Sequence, residues 1–368
     1  MAVVILVAGR GTRFRDDKPK CLSLIDDQTL LEWTVSLIRD ADERIPICIV
    51  AGYKSSAIEE IVNKMAFKGV STIVNEDYEF DQNILSAQMG MADKESDVLV
   101  LEGDCIYNGL SMKEFVDSIG SNCNTIFTIG QAEEGRKNAI LRSDENGFLQ
   151  GYNIGERTAN IIPEEWSNMA GAVLFSIDDL KGIMTWLERS GANPSQTYYF
   201  QPLTEIGEYQ VIVRKLSPGA AFSTFNTQKQ YLEVMSKMGV DTRIKLVETS
   251  SLRHVEGYSD KRVKWLKEKI HSEGIWNKPI CIDSEHGIVM DGQHRMEVAK
   301  ELGLSIVPSI GFKHSEVDFW SLRPNNHEVT LELIMSKSLS GNIYPYKTVK
   351  YSFPTEIPGC AINLGELV

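Results

Sequence analysis

Val4-Ile5-Leu6-Val7-Ala8-Gly9-Arg10-Gly11-Thr12-Arg13-Phe14-Arg15-Asp16-Asp17-Lys18-Pro19-Lys20-Cys21-Leu22 is the stretch that decides the fold of this chain. The apolar run from Ala2 to Ala8 reads as a parallel strand buried on both faces. A basic loop punctuated by glycine follows it directly. Gly9 and Gly11 let the backbone turn and approach a ligand closely, so main-chain N–H groups can face an anion. Arg10, Arg13, Lys18 and Lys20 add positive charge to the same loop. A triphosphate needs both: amides to cradle it and cations to neutralise it as pyrophosphate leaves.

Further along, strand-like and helical runs alternate. Pro46–Ala51, Val70–Asn75, Val98–Leu101 and Thr125–Ile129 read as strands; Thr29–Arg39, Ser56–Met65 and Ile84–Met91 read as helices. This alternation predicts an α/β fold with a mostly parallel sheet and helices on both faces. Ligands of such sheets sit at the carboxyl ends of the strands, where the glycine loop lies. Later strands near Gly147–Asn153, Gly171–Ser176 and Gln210–Leu216 extend the domain, and Val240 restarts the pattern. All six histidines follow that restart. The expected division is therefore residues 1–237 and 238–368, two domains being natural for a chain of 368 residues.

Composition limits the function. Apolar content of 42% and charged content of 24% are those of a globular protein. No apolar run reaches membrane-spanning length, and the start lacks the pattern of a secretory signal. The six cysteines are scattered without a C-x-x-C, so reduced thiols and a cytoplasmic setting are expected. A net charge of -13 argues against nucleic-acid binding. A basic loop on an acidic chain suits a small anion, so the expected partners are small molecules, with neither nucleic acid nor membrane. The sequence leaves a homo-oligomer open.

The loop has neither the G-K-[ST] of a Walker sequence nor a G-x-G-x-x-G. It resembles the Leu-x-Ala-Gly-x-Gly-x-Arg…Pro-Lys-x-Leu signature of the nucleotidyltransferases that act on sugar phosphates and choline phosphate. That resemblance implies a Rossmann-like (GT-A) sheet. It makes Ala8, Gly9, Arg10 and Gly11 nucleotide-binding and gives Arg13 and Lys20 catalytic roles. In-line displacement at an α-phosphorus needs a divalent cation, and Mg²⁺ is expected. Asp104 ends an apolar strand in the Gly-Asp context of the family's metal ligand, and Glu102 stands two residues before it. The second metal acid of the family falls in a segment that reads Thr224-Phe-Asn-Thr-Gln-Lys-Gln here, which puts Asn226 at the acid's place. Asn83 and Ser86, in Asn-Ile-Leu-Ser, match a segment beside the nucleotide in choline-phosphate cytidylyltransferases. By that resemblance the donor is CTP; a helix N-cap at Asn83 is the other reading of the same residues.

In the second part, Lys261–Ser272 is amphipathic and stops at Gly274, a helix C-cap residue. Pro279–Asp283 and Gly287–Met290 read as a strand pair, Gln293–Leu302 as a helix, and Ser305–Phe312 as a strand. Val289-Met-Asp-Gly-Gln-His-Arg295 brings a strand into a tight turn and a helix start, a second phosphate cradle. It resembles the Asp-Gly-x-His-Arg motif of ParB-like folds. With Arg253-His-Val-Glu256 and the tail Gly341–Pro354, it is similar to the free L-serine kinases of that superfamily. The resemblance implies a smaller ParB-like α/β domain and a kinase using ATP or ADP. Glu256 becomes the base for the serine hydroxyl. Asp291 (a candidate metal ligand), Gly292, Gln293, His294 and Arg295 face the phosphates. Lys347 and Thr348 hold the amino acid or the transferring phosphate, Trp320 walls the pocket, and Lys350 stands where the family prefers Arg.

Together the two resemblances imply a bifunctional enzyme. Serine is phosphorylated, and CMP then passes from CTP to phosphoserine, giving CDP-L-serine and pyrophosphate. Two other readings keep the transferase: a different phosphorylated or phosphonate acceptor, or a ParB-like half that senses CTP. A DNA-binding, partition-type protein lacks support, because no helix-turn-helix follows the Asp-Gly-Gln-His-Arg unit.

Overall fold

The computed structural model describes residues 2–11, 14, 18–131, 139–155, 166–189, 193–205, 209–240 and 242–368. Arg13 lies outside them. The chain forms two compact units, Met1–Phe225 and Asn226–Val368.

In the first unit, β1 (Ala2–Val7) is buried along its whole length. It pairs in parallel with β2 (Ile47–Ala51) on one side, and β2 pairs in parallel with β3 (Val70–Val74). On its other side it pairs in parallel with β4 (Val98–Glu102). Helices α1 (Leu30–Ala41), α2 (Ser55–Met65) and α3 (Ile84–Met91) connect these strands. The strand alternation of side chains explains the apolar run. Val3, Ile5 and Val7 enter one core with α1 and α2, while Val4 and Leu6 enter the opposite core with α3. Thr29 and Glu32 start α1 with a reciprocal capping box.

Past β4 come β5 (Cys105–Tyr107), α4 (Gly109–Asp117), β6 (Asn124–Gln131), β7 (Ala139–Ser143), β8 (Leu149–Ile154) and β9 (Trp166–Phe175). Then follow α5 (Ile177–Arg189), α6 (Gln201–Glu205), β10 (Val211–Lys215) and β11 (Phe222–Thr224). On the flank, β9 pairs antiparallel with β4, β6 and β7, and β7 with β8, while β10 pairs in parallel with β6; the sheet order is β8-β7-β9-β4-β1-β2-β3, with β6 joining β9 to β10. The expected mostly parallel sheet is thus present, with an antiparallel flank added. β1 lies between β2 and β4, so the chain's crossovers leave it in both directions. The carboxyl ends of β1 and β4 flank the resulting crevice.

Gly103 sits in that crevice because nothing larger fits. Its N–H donates to the Leu6 carbonyl at 2.9 Å. A Cβ there would meet Val7 Cγ1 at 2.2 Å and the Leu6 carbonyl oxygen at 2.8 Å. Gly103→Ala is expected to destabilise the chain by about 1–3 kcal/mol, as overpacked cores do. Chemical denaturation checks this, and an unchanged midpoint would refute the close packing.

The second unit begins with α7 (Gln228–Lys237), which the sequence reading placed before the boundary. Leu232 of α7 packs with Leu252, Val263 and Trp276, which explains its membership of this unit. The sheet order is β12 (Lys245–Glu248), β16 (Ile306–Phe312), β14 (Ile280–Asp283), β15 (Ile288–Asp291) and β13 (Arg253–His254). Helices α8 (Asp260–Glu273) and α9 (Gln293–Glu301) pack against it through Val263, Ile270, Met296 and Val298. The pair β17 (Asp318–Ser321) and β18 (Val349–Ser352) is antiparallel, and α10 (Leu331–Ser340) lies between them in sequence. Among the described residues no helix is long and apolar enough to cross a membrane.

Candidate active site

The glycine loop leaves β1 at the crevice. Ala8 is buried, and its carbonyl accepts the Tyr53 N–H at 3.0 Å. Among the described residues nothing stands within 4 Å of the Cβ position of Gly9. The Cβ position of Gly11 faces Lys20 Cγ and Cδ, each at 3.4 Å, so the loop lies against that lysine. Lys20 opens a single 3-10 turn after Pro19 and is itself buried. Its Nζ donates to Asp104 Oδ2 at 2.6 Å and lies 5.2 Å from the Phe225 ring centroid. Arg10 stays exposed, 3.9 Å from Glu79 and over the Tyr53 ring. Residues that the sequence separates by 84 positions thus share one point.

Glu102, Asp104 and Cys105 place two carboxylate oxygens and a thiol within 4.8 Å of one another. Burial raises the Asp104 carboxyl, but the Lys20 charge and hydrogen bond outweigh it, so the group stays below its ordinary range. Burial, and then the Asp104 charge, push Glu102 up to about 7. Burial lifts the Cys105 thiol well above its usual value. The two hard carboxylate donors suit Mg²⁺, whereas a protonated soft thiol does not. Glu102 and Asp104 therefore fit the expected ion.

The raised acid has a consequence for stability. In the folded chain Glu102 holds its proton up to about pH 7, while its ordinary value is 4.5. The folded state then binds more protons than the unfolded one, and stability falls as pH rises from about 4.5 through 7. In metal-free buffer, Glu102→Gln is expected to flatten that fall. Urea midpoints at intervals from pH 5 to 8 read it, and parallel curves for the two chains would overturn it.

The base-side residues divide. Asn83 adopts a left-handed conformation at the start of α3 and gives no side-chain cap. Asp81 does the capping, accepting the Leu85 and Ser86 N–H groups at 2.9 Å each. Ser86 is not available for a base, contrary to expectation. It is buried, its hydroxyl donates to Asp81 Oδ2 at 2.7 Å, and it accepts from Asn75 Nδ2 at 3.0 Å. Asn226 opens the second unit, where its backbone N–H donates to Gln230 Oε1 at 2.7 Å.

Within the second unit, a cavity of about 670 Å³ is lined by Glu256, Asp291, Gly292, Gln293, His294, Arg295, Lys347 and Lys350, with one face of α8. Gly292 has φ 109°, and Arg295 folds back to within 3.0 Å of its Cβ position, so this turn requires glycine. Arg295 Nη2 donates to Asp291 Oδ2 at 2.8 Å, which leaves the carboxylate largely exposed. The N–H of Ser259 donates to His294 Nε2 at 3.2 Å. Burial and the Arg262 charge hold that imidazole below its usual value. His294 is thus neutral, with its proton on Nδ1.

Glu256 is more constrained than the sequence suggested. Its Oε2 accepts the N–H groups of Thr348 at 2.7 Å and Val349 at 2.8 Å, and its Oε1 accepts that of Lys347 at 3.3 Å. Lys347 has φ 61°, so three successive amides turn inward onto one carboxylate.

Three expectations are corrected here. The Gln293 side chain does not face phosphate: it is buried, donating to the Val289 carbonyl and bonded to His254 Nδ1. Thr348 is fully buried and donates its hydroxyl to the Pro345 carbonyl. Trp320 pairs with Lys350 across β17 and β18 but is 44% exposed and does not line the cavity. Conversely, the cavity face of α8 went unnoticed. Its signal was the spacing of Arg262, Trp265, Leu266, Lys269, Ile270 and Glu273, which is one helical stripe.

Residues 3–148 match the family described as the MobA-like NTP transferase domain. The bifunctional protein GlmU of Streptococcus uberis is 24% identical over 207 residues, 55% of this chain and 43% of that protein. GlmU of Streptococcus thermophilus is 28% identical over 211 residues, 55% of this chain and 43% of that protein. The chain thus spans less than half the length of these curated relatives. Among solved structures, the CTP:phosphocholine cytidylyltransferase of Streptococcus pneumoniae (LicC) superposes with a TM-score of 0.53 at 18% identity, over 64% of this chain and 98% of that one. A UDP-glucose pyrophosphorylase complexed with UDP-glucose gives 0.54 at 16% identity, over 65% and 99%. The N-terminal unit carries a MobA-like NTP transferase domain on a nucleotidyltransferase fold.

Proposed function

We propose that this chain couples two reactions: phosphorylation of free L-serine in the second unit and transfer of CMP from CTP to phosphoserine in the first. The observation that carries the transfer step is the meeting of the glycine loop, Lys20 and Asp104 at the crevice. There, loop amides and the Lys20 ammonium face the triphosphate and offset the charge that grows on departing pyrophosphate. An oxygen of the phosphorylated acceptor attacks the α-phosphorus, and the bond to the β-phosphate oxygen breaks. Glu102 and Asp104 would hold Mg²⁺, and the ion would screen the phosphate oxygens. CTP as donor rests on the resemblance around Asn83.

The kinase step rests on the second unit's own cavity, where an anion cradle and a carboxylate line the same space. A carboxylate has about four lone-pair directions, and Glu256 uses three on the backbone. The remaining one accepts the serine hydroxyl proton as the oxygen attacks the terminal phosphorus of ATP or ADP, whose bond to the bridging oxygen breaks to release ADP or AMP. His294 Nδ1–H, Arg295 and the first amides of α9 hold the phosphates; Lys347 and Lys350 face the substrate, and Asp291 is left exposed for a metal.

³¹P NMR with Mg²⁺, ATP, CTP and L-serine tests the pair, each component being omitted in turn. A serine-dependent phosphomonoester that becomes a pyrophosphate diester only with CTP is expected. If added phosphoserine consumes CTP but no monoester forms from serine, the kinase half fails. Consumption of CTP only with other phosphorylated or phosphonate acceptors would replace phosphoserine.

A further inference from the structure

The cavity of the second unit has more wall than serine and a phosphate chain need. Its longest side is the stripe on α8 from Arg262 to Glu273, about 16 Å at 1.5 Å per residue. Its two ends differ in character. At the Arg262 end stand His294, Arg295 and the start of α9, a place for phosphates. Less than one turn on, Trp265 lines the cavity while 57% exposed, with the Lys269 ammonium 5.7 Å from its ring centroid. An aromatic face left in water beside an anion cradle is a stacking platform. At the far end the Glu273 carboxylate accepts from Asn277 Nδ2 at 2.8 Å through Oε2, while Lys269 stays 3.8 Å from its Oε1. That oxygen is an acceptor available to an occupant. The inner wall is Trp276, fully buried, whose indole Nε1–H has no hydrogen-bond partner among the described residues.

We infer that this cavity seats a nucleotide whose base stacks on Trp265 and turns an exocyclic amine to Glu273, with its phosphates at the start of α9. This deepens the kinase reading and rests on it. Adenine, cytosine and guanine each present an exocyclic amine; uracil presents only carbonyl oxygens at its exocyclic positions, which a carboxylate repels. The α8 stripe thus selects the base, while α9 holds the phosphates regardless of base.

Photolabelling of the full chain with 2-azido-ATP, followed by peptide mapping, reads each unit separately. Label on the peptide spanning α8 is expected, protected by ATP and CTP better than by UTP. Trp265→Ala is expected to weaken protection by ATP at that peptide about tenfold to a hundredfold, and Trp265→Phe to retain most of it. Inorganic tripolyphosphate, which has no base, is expected to protect both chains equally. Trp265 is exposed enough that neither change threatens the fold. Label elsewhere in residues 226–368, or equal protection of Trp265→Ala and the unaltered chain, would overturn the base site and leave the kinase reading standing. Absence of label throughout that unit, with the first unit labelled, would overturn both.

Discussion

A Lys20→Ala chain is expected to release pyrophosphate from CTP and phosphoserine about 10²–10³ times more slowly than the unaltered chain, the usual cost of removing one preorganised group facing developing charge. Among the described residues Lys20 is the most enclosed cation of the loop, and its ammonium contacts Asp104 directly. Its loss acts twice. The triphosphate loses a neutralising charge. Glu102 and Asp104 also lose a nearby cation that favours their charged forms, and two close carboxylates then compete for one proton. Lys20→Arg keeps the charge but not the shape of a buried ammonium, so partial activity is expected. Pyrophosphate release in a coupled assay measures this. Serine phosphorylation by the same chains serves as the folding control, because its groups belong to the other unit. Unchanged pyrophosphate release from Lys20→Ala would remove this lysine from the site.

The loop around Lys20 was legible from sequence because its signal is local. An apolar run, glycines and cations follow one another, and the strand's burial on both faces matches its lack of polar residues. The α8 and α9 helices were legible for the same reason, through their spacing and their glycine ends. What failed was the reading of polar side chains as ligand contacts. Ser86 and Gln293 stand where a ligand group is wanted, yet both are turned inward to satisfy buried partners. Spacing cannot show this, since the partner of Ser86 is fixed by how α3 starts, with Asp81 rather than Asn83 supplying the cap. Glu256 was found, but its ties to a segment some 90 residues later could not be. The parallel bridge of Glu256 with Tyr344 brings these stretches together.

Those ties shape the second large expectation. Glu256→Gln is expected to slow serine phosphorylation by about 10²–10⁴-fold, the range for losing a general base, while transfer of CMP to added phosphoserine stays within about twofold. The amide keeps the size of the carboxylate but replaces one acceptor oxygen with a donor. That donor points at a backbone N–H, whether of Lys347 or of the Thr348–Val349 pair, so one arm of the loop is released. A loss of activity alone would therefore not separate a base from a loop anchor. Hydrogen exchange of the Lys347, Thr348 and Val349 amides reports the anchor, and the pH dependence of serine phosphorylation reports the base. If Glu256 does both, exchange quickens, and the acidic limb of the pH profile disappears from the residual activity. Faster exchange with that limb intact would make Glu256 a positioning residue, acting through the loop that presents Lys347. An unaltered rate would exclude both roles, because among the described residues no other carboxylate holds these three amides.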